Sequence, residues 1–305
     1  MSTENNSISV DFQSWFIPID ILSTICCIIS VILALVFLFV IIADKTYHTV
    51  SMLLVTNSCL AELIVGIYVL VAASFKLNND LKQIYFYDSF CILMTCIGYI
   101  SVGIQNYSYL LQAIYRYILV AYPVRLSYRS FKFQAFLISL TWICCIIYSI
   151  PLMLTGQIKY LPNEQLCQMP LEFSFITIFN ALYIYIIPMS SIVLIYIKMV
   201  WYVREMSKHV TPVNRLFHAK RELRMVRRII SLIFIVIAFG LPYQVFIFMS
   251  FANRAPKYPF RIAFTFIDVS LIFILIALLQ ITEPLKTSLM KRINGRPTNT
   301  IGAVS

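Results

Sequence analysis

The chain has 305 residues, of which 60% are hydrophobic and 12% charged. Soluble domains carry about 25% charged residues, so this composition excludes an ordinary soluble globule and points to an integral membrane protein. The net charge of +11 raises nucleic acid as a partner, an idea the distribution of the charge removes below.

Apolar stretches of about 20 residues are long enough to span a bilayer as helices. In chain order they fall at 17–43, 50–73, 90–122, 133–154, 173–203, 226–251 and 260–279. Residues 1–16 form a tail, 17–290 the membrane domain and 291–305 a second tail. The first 16 residues hold no Lys or Arg, unlike a cleavable signal peptide, so the first span is expected to act as its own signal anchor. Seven spans put the termini on opposite sides. With the N-terminus outside, 18 of the 24 Lys and Arg lie inside, and the positive-inside rule selects that orientation. The basic excess thus reflects topology and attraction to anionic lipid rather than nucleic acid. No CxxC pair suggests a zinc site. Asn5-Asn6-Ser7 is a glycosylation sequon on the expected outer tail, whereas Asn106-Tyr107-Ser108 lies within a span.

The third span carries the informative pattern. Arg116 follows Cys91 by 25 residues, about 37 Å of helix at 1.5 Å per residue, which is one bilayer crossing. Arg116 is therefore expected near the inner face, where its cost is lower than at the centre. Gln112, Tyr109, Gln105, Ser101 and Gly98 precede it at helical spacing. Such a polar stripe belongs inside a bundle rather than against lipid. Glu62 and Glu283 read as the only acids deep within spans, and intramembrane acids are functional candidates.

These features resemble the rhodopsin-like family of G-protein-coupled receptors over spans two to seven. The resemblance rests on Cys91, on Tyr115-Arg116-Tyr117 with Pro123, on Trp142 and Pro151, on Pro188 and Tyr196, and on Pro242 with Tyr243. The chain departs from the family pattern in several places. The acid before the arginine is Tyr115, the tryptophan before Pro242 is Gly240, and the Asn-Pro pair of the seventh span is Glu283-Pro284. Glu62 stands for the usual aspartate, and the first span lacks an asparagine near Ala34.

The resemblance implies an all-α seven-transmembrane bundle with a short amphipathic eighth helix. It implies a disulfide between Cys91 and Cys167, the alternative being two free thiols. Arg116, Tyr117, Tyr196, Pro242 and Pro284 are the implied activation and G-protein-coupling positions. Glu222 is the implied acid that holds Arg116 at rest, the alternative being that it merely offsets its basic neighbours. Glu62, Gln105, Gln280 and Glu283 form the implied polar core, where two carboxylates share a proton or bind sodium; no other cofactor is expected. By family position Tyr99, Asn180, Tyr243, Gln244 and Phe273 line the ligand pocket.

Ala277 stands where a retinal lysine would, and Gly98 where monoamine receptors carry an aspartate, which argues against light and classical amines. Glu4, Asp11, Asp20, Asp80, Asp88, Glu164, Glu172 and Asp268 form a candidate acidic outer rim that would attract a basic peptide, or simply a solvated surface. A neuropeptide-type ligand is the first expectation and a chemosensory small molecule the second. The partners are an extracellular ligand, a heterotrimeric G protein, membrane lipid and arrestin; the plasma membrane is the expected location. A transporter or channel would explain the buried acids but not the receptor-like spacing, and no internal repeat supports it. An enzyme is disfavoured because no nucleophile–base or metal-ligand set emerges. The tail after Lys291 has no cysteine for palmitoylation and offers Thr298, Thr300 and Ser305 for phosphorylation.

Overall fold

The computed structural model describes residues 13–43, 49–82, 90–122, 128, 130–172, 174–208, 213–252, 254 and 256–281, without the side chains of 207, 279–281 and most of 213–233. Asn5, Glu283, Pro284 and the expected eighth helix lie outside these residues, as do the side chains of Glu222 and Gln280. The elements are α1 (Phe16–Ala43), α2 (Val50–Lys82), α3 (Phe90–Ala121), α4 (Phe131–Leu154), a hairpin of β1 (Lys159–Leu161) and β2 (Leu166–Gln168), α5 (Phe175–Ala181), a π-helical turn (Leu182–Ile186), α6 (Ile187–Lys208), α7 (Val213–Phe251) and α8 (Pro259–Ile281). Among the described residues, seven helical segments are long and apolar enough to cross a membrane, with α5, the π-turn and α6 together making the fifth.

The bundle turns apolar side chains outward, as a bilayer solvent allows. Phe39, Ile42, Phe136, Trp201, Phe234 and Phe248 are all exposed. Its interior is built around α3, which packs against α2, α4, α6 and α7. The five stripe residues from Gly98 to Gln112 are all buried.

The second and sixth spans run furthest past their expected limits, the sixth starting at Val213 rather than at 226. The second helix does not stop at Ala73 but runs on to Lys82. Lys76, Asn79 and Asp80 are buried along that extra length. Their spacing of three and four residues puts them on one helical face, toward partners that sequence distance conceals. The seventh begins on Pro259, whose fixed φ suits the first helical turn.

The fifth span is interrupted by the π-turn just before Pro188. Ile187 N–H reaches back five residues to Leu182 O, which leaves the Tyr183 carbonyl without its helical donor. Pro188 has no N–H, so the Ile184 carbonyl is orphaned as well. Both are satisfied from α3: Tyr107 OH donates to Tyr183 O at 3.0 Å and Asn106 Nδ2 to Ile184 O at 2.9 Å. The sequon-like triplet of α3 thus repairs a break in the neighbouring helix. Its third member, Ser108, accepts from Asn57 Nδ2 at 2.7 Å, and Asn57 Oδ1 accepts from Trp142 Nε1 at 2.9 Å, tying α2, α3 and α4 together.

Candidate ligand site and transduction axis

At one end of α3, Cys91 is bonded to Cys167 of β2, with Cα atoms 5.7 Å apart. Thr95 OH donates to the Cys167 carbonyl at 2.8 Å, and Tyr99 OH to Gln168 Oε1 at 2.6 Å. These bonds strap the hairpin along successive turns of α3. The strap roofs a cavity of about 180 Å³ between α2, α3, the fifth span, α7 and α8. A second cavity of about 120 Å³ adjoins it under the disulfide and shares the Tyr68, Val69, Thr95 and Phe264 walls.

Four of the five expected pocket residues line the larger cavity: Tyr99, Asn180, Tyr243 and Gln244. Phe273 does not. It is 45% exposed and stacks on Phe239, with ring centroids 5.4 Å apart. The register of α8 explains this, because Ser270, Leu271 and Ile274 take the inward face and Phe273 falls beside it. Tyr68 was not a candidate from sequence, yet it shapes the cavity. A side chain at Gly98 would run into its ring, so the room left by the missing side chain is filled by a phenol.

The acidic rim is the larger correction. Asp20, Asp80, Glu164 and Asp268 are all at most 3% exposed. They sit around two buried cations, Arg261 and Lys76. Arg261 donates from both terminal nitrogens to Asp80, from Nη2 to Oδ1 at 3.1 Å, and from Nη1 to Asp20 Oδ2 at 3.0 Å. Its guanidinium lies 3.8 Å from the Phe16 ring centroid. Lys76 pairs with the other Asp20 oxygen at 3.2 Å. From the hairpin, Gln165 donates to Asp80 Oδ1 at 2.7 Å. Glu164 accepts the backbone N–H groups of Phe260 at 3.2 Å and Arg261 at 2.9 Å, capping the positive end of the α8 dipole. Burial pushes the Glu164 carboxyl up to about 6, against the pull of those N–H groups and the Arg261 charge. These acids therefore join α1, α2, the hairpin and α8 instead of facing an approaching peptide. Among the described acids of the proposed rim only Glu172 is exposed.

Below the cavity the stripe on α3 pairs with α2. Gln105 Nε2 donates to Glu62 Oε1 at 2.7 Å, and Tyr109 OH donates to the same oxygen. Gln112 Nε2 donates to Ser58 Oγ at 2.5 Å. Gln105 also lines the cavity, so one side chain touches both the cavity floor and the buried carboxylate. Glu62 Oε2 has no hydrogen-bond partner among the described residues. Of the implied polar core the structure brings together Glu62 and Gln105.

At the far end Arg116 is 8% exposed. Tyr115, in place of the family acid, is buried among Leu54, Leu111 and Leu137. It contributes packing between α2, α3 and α4 where an acid would contribute charge. Tyr117 and Tyr196 meet around Val120, Met199 and Val203, and Leu223 of α7 packs there too. Pro242 lies inside α7, next to the cavity residue Tyr243.

A seven-helix membrane bundle with a disulfide-strapped cavity at one end and a buried arginine at the other has the build of a transmembrane receptor. The chain belongs to the rhodopsin family of seven-transmembrane receptors, whose model matches residues 33–285. No curated protein matches the sequence. Receptors of this family carry a signal from an extracellular ligand to a G protein.

Proposed function

We propose that this receptor resides in the plasma membrane with its N-terminus outside, binds a small molecule in the strapped cavity and activates a heterotrimeric G protein through outward movement of the helical end bearing Glu222. The observation that carries the reading is the continuity of α3. Tyr99 and Gln105 contact the cavity, Gln105 and Tyr109 hold Glu62, and Tyr117 packs against α6 and α7 beside Arg116. A ligand that shifts the cavity wall therefore acts on one rigid element that reaches the opposite face. The small-molecule reading displaces the peptide one because the acids that would attract a basic peptide are engaged internally. In the same reading Glu62 holds a proton or a sodium ion, with Glu283 and Gln280 as partners, and arrestin has the loops and the sparse hydroxyls of the tail to recognise.

Rest is held by Arg116 of the third span and Glu222 of the sixth, without a second acid at position 115. Glu222→Ala is expected to raise ligand-independent G-protein signalling several-fold at matched surface density. Unchanged basal signalling from a receptor that reaches the surface would remove the lock from the account.

A further inference from the structure

The ligand's chemical class can be read from the cavity, on the assumption that this cavity is the receptor's ligand site. Among the described residues that line it, none is Asp, Glu, Lys, Arg or His. The polar lining is phenols, hydroxyls and amides. A charged ligand would be stripped of hydration there with no opposite charge to replace the water. The position that an anionic anchor would take is closed, because Gly98 has no side chain and the Tyr68 ring fills its room. The amides are partly engaged in a way that selects the ligand's polar group. Gln168 Oε1 already accepts from Tyr99 OH and from Met169 N–H, and Asn180 Oδ1 accepts from Tyr148 OH. That leaves the amide NH2 groups of Gln168 and Asn180 as donors for a ligand. The remaining wall is apolar, with Val102, Ile184, Val236, Ile247 and Ile274 prominent.

The volume sets the size. An apolar cavity of about 150 Å³ admits benzene, so about 180 Å³ suits a molecule on the order of ten non-hydrogen atoms. Gly240 contributes to this space: where the family pattern has tryptophan there is no side chain, and only the Tyr185 hydroxyl, 3.3 Å from a Cβ built there, stands close.

We propose that the cavity binds an uncharged, largely apolar molecule of about this size whose polar group is a hydrogen-bond acceptor, held by the NH2 groups of Gln168 and Asn180, with the Tyr68 ring filling the room beside Gly98 where an anionic anchor for a cation would sit.

The test uses the full chain in lipid nanodiscs. The probes are phenylbutyl, cyclohexylbutyl and decyl skeletons, each as the methyl ketone, the alcohol, the primary amine and the carboxylate. Thermal unfolding is followed against probe concentration, since a ligand that binds only the folded state raises its melting temperature. For at least one skeleton, the ketone and alcohol are expected to stabilise at concentrations at least about tenfold below those of the amine and carboxylate, a difference of about 1.4 kcal/mol. Gly240→Trp, or Ala181→Phe should the first fail to fold, is expected to abolish the shift by filling the cavity, which mere partitioning into lipid would not do. Gln244→Arg is expected to turn the preference toward the carboxylate. A wild-type preference for a charged member, no shift with any neutral member, or a shift that survives cavity filling would each overturn the proposal. Nucleotide exchange on a G protein, measured on the same preparation, separates the two readings. A charged probe that raised exchange would leave the receptor reading standing and remove this one, and a folded receptor without exchange would remove the receptor reading whatever binds.

Discussion

Arg261→Ala is expected to destabilise the receptor by roughly 3–5 kcal/mol, the range for breaking a buried charge network from one side. Arg261 is fully buried, and its guanidinium serves Asp20 and Asp80 together. Removing it leaves Asp20 with Lys76 alone and strands Asp80 with the single amide of Gln165. The Phe16 ring also loses the cation above it. Because the partners come from α1 and α2 while Glu164 caps the same helix from the hairpin, the loss spreads over four elements. It should appear as a lowered melting temperature in nanodiscs and a fall in surface expression. Arg261→Lys restores the charge without the planar fork and is expected to recover only part of the loss. An alanine variant that melts with the wild type would show that the cluster contributes nothing.

The second large effect separates hydrogen bonding from charge at Glu62. Glu62→Ala removes the common acceptor of the Gln105 amide and the Tyr109 hydroxyl, both buried. Each buried donor left without a partner costs about 1–3 kcal/mol, so the pair should cost roughly 2–6 kcal/mol. Glu62→Gln keeps an acceptor oxygen at nearly the same place and should stay within about 1 kcal/mol of wild type. Thermal unfolding of the two variants side by side measures the difference. Should glutamine prove as damaging as alanine, the negative charge itself is required, and a cation bound at Glu62 becomes the better explanation.

The sequence carries the membrane spans because burial in lipid imposes a long, predominantly apolar run on each of them. It carries the inward face of α3 because Gln105, Tyr109 and Gln112 recur at helical spacing among apolar neighbours. The charge cluster is hidden for a different reason. Asp20 and Arg261 are 241 positions apart, and nothing local marks them as partners. Each reads as an ordinary charge near a span end, and so the acids read from sequence as an outer rim. The π-turn is half legible. Pro188 announces a missing donor, yet only the structure shows that Asn106 and Tyr107 supply substitutes. The pocket follows the same division. Tyr99, Asn180, Tyr243 and Gln244 could be placed by family register, but Phe273 missed by one residue's rotation on α8. Gly98 was legible as the absence of an anchor, whereas the Tyr68 ring that takes its room belongs to another helix.

The central claim is that a signal received in the strapped cavity leaves the molecule at Arg116 as activation of a G protein. GDP–GTP exchange on purified heterotrimers, driven by the receptor in nanodiscs, tests it most directly. The account predicts exchange above that of empty nanodiscs, raised further by Glu222→Ala and lost in Arg116→Ala although that variant folds and still binds in the cavity. No exchange with any heterotrimer class, together with ion flux through the reconstituted protein, would contradict it.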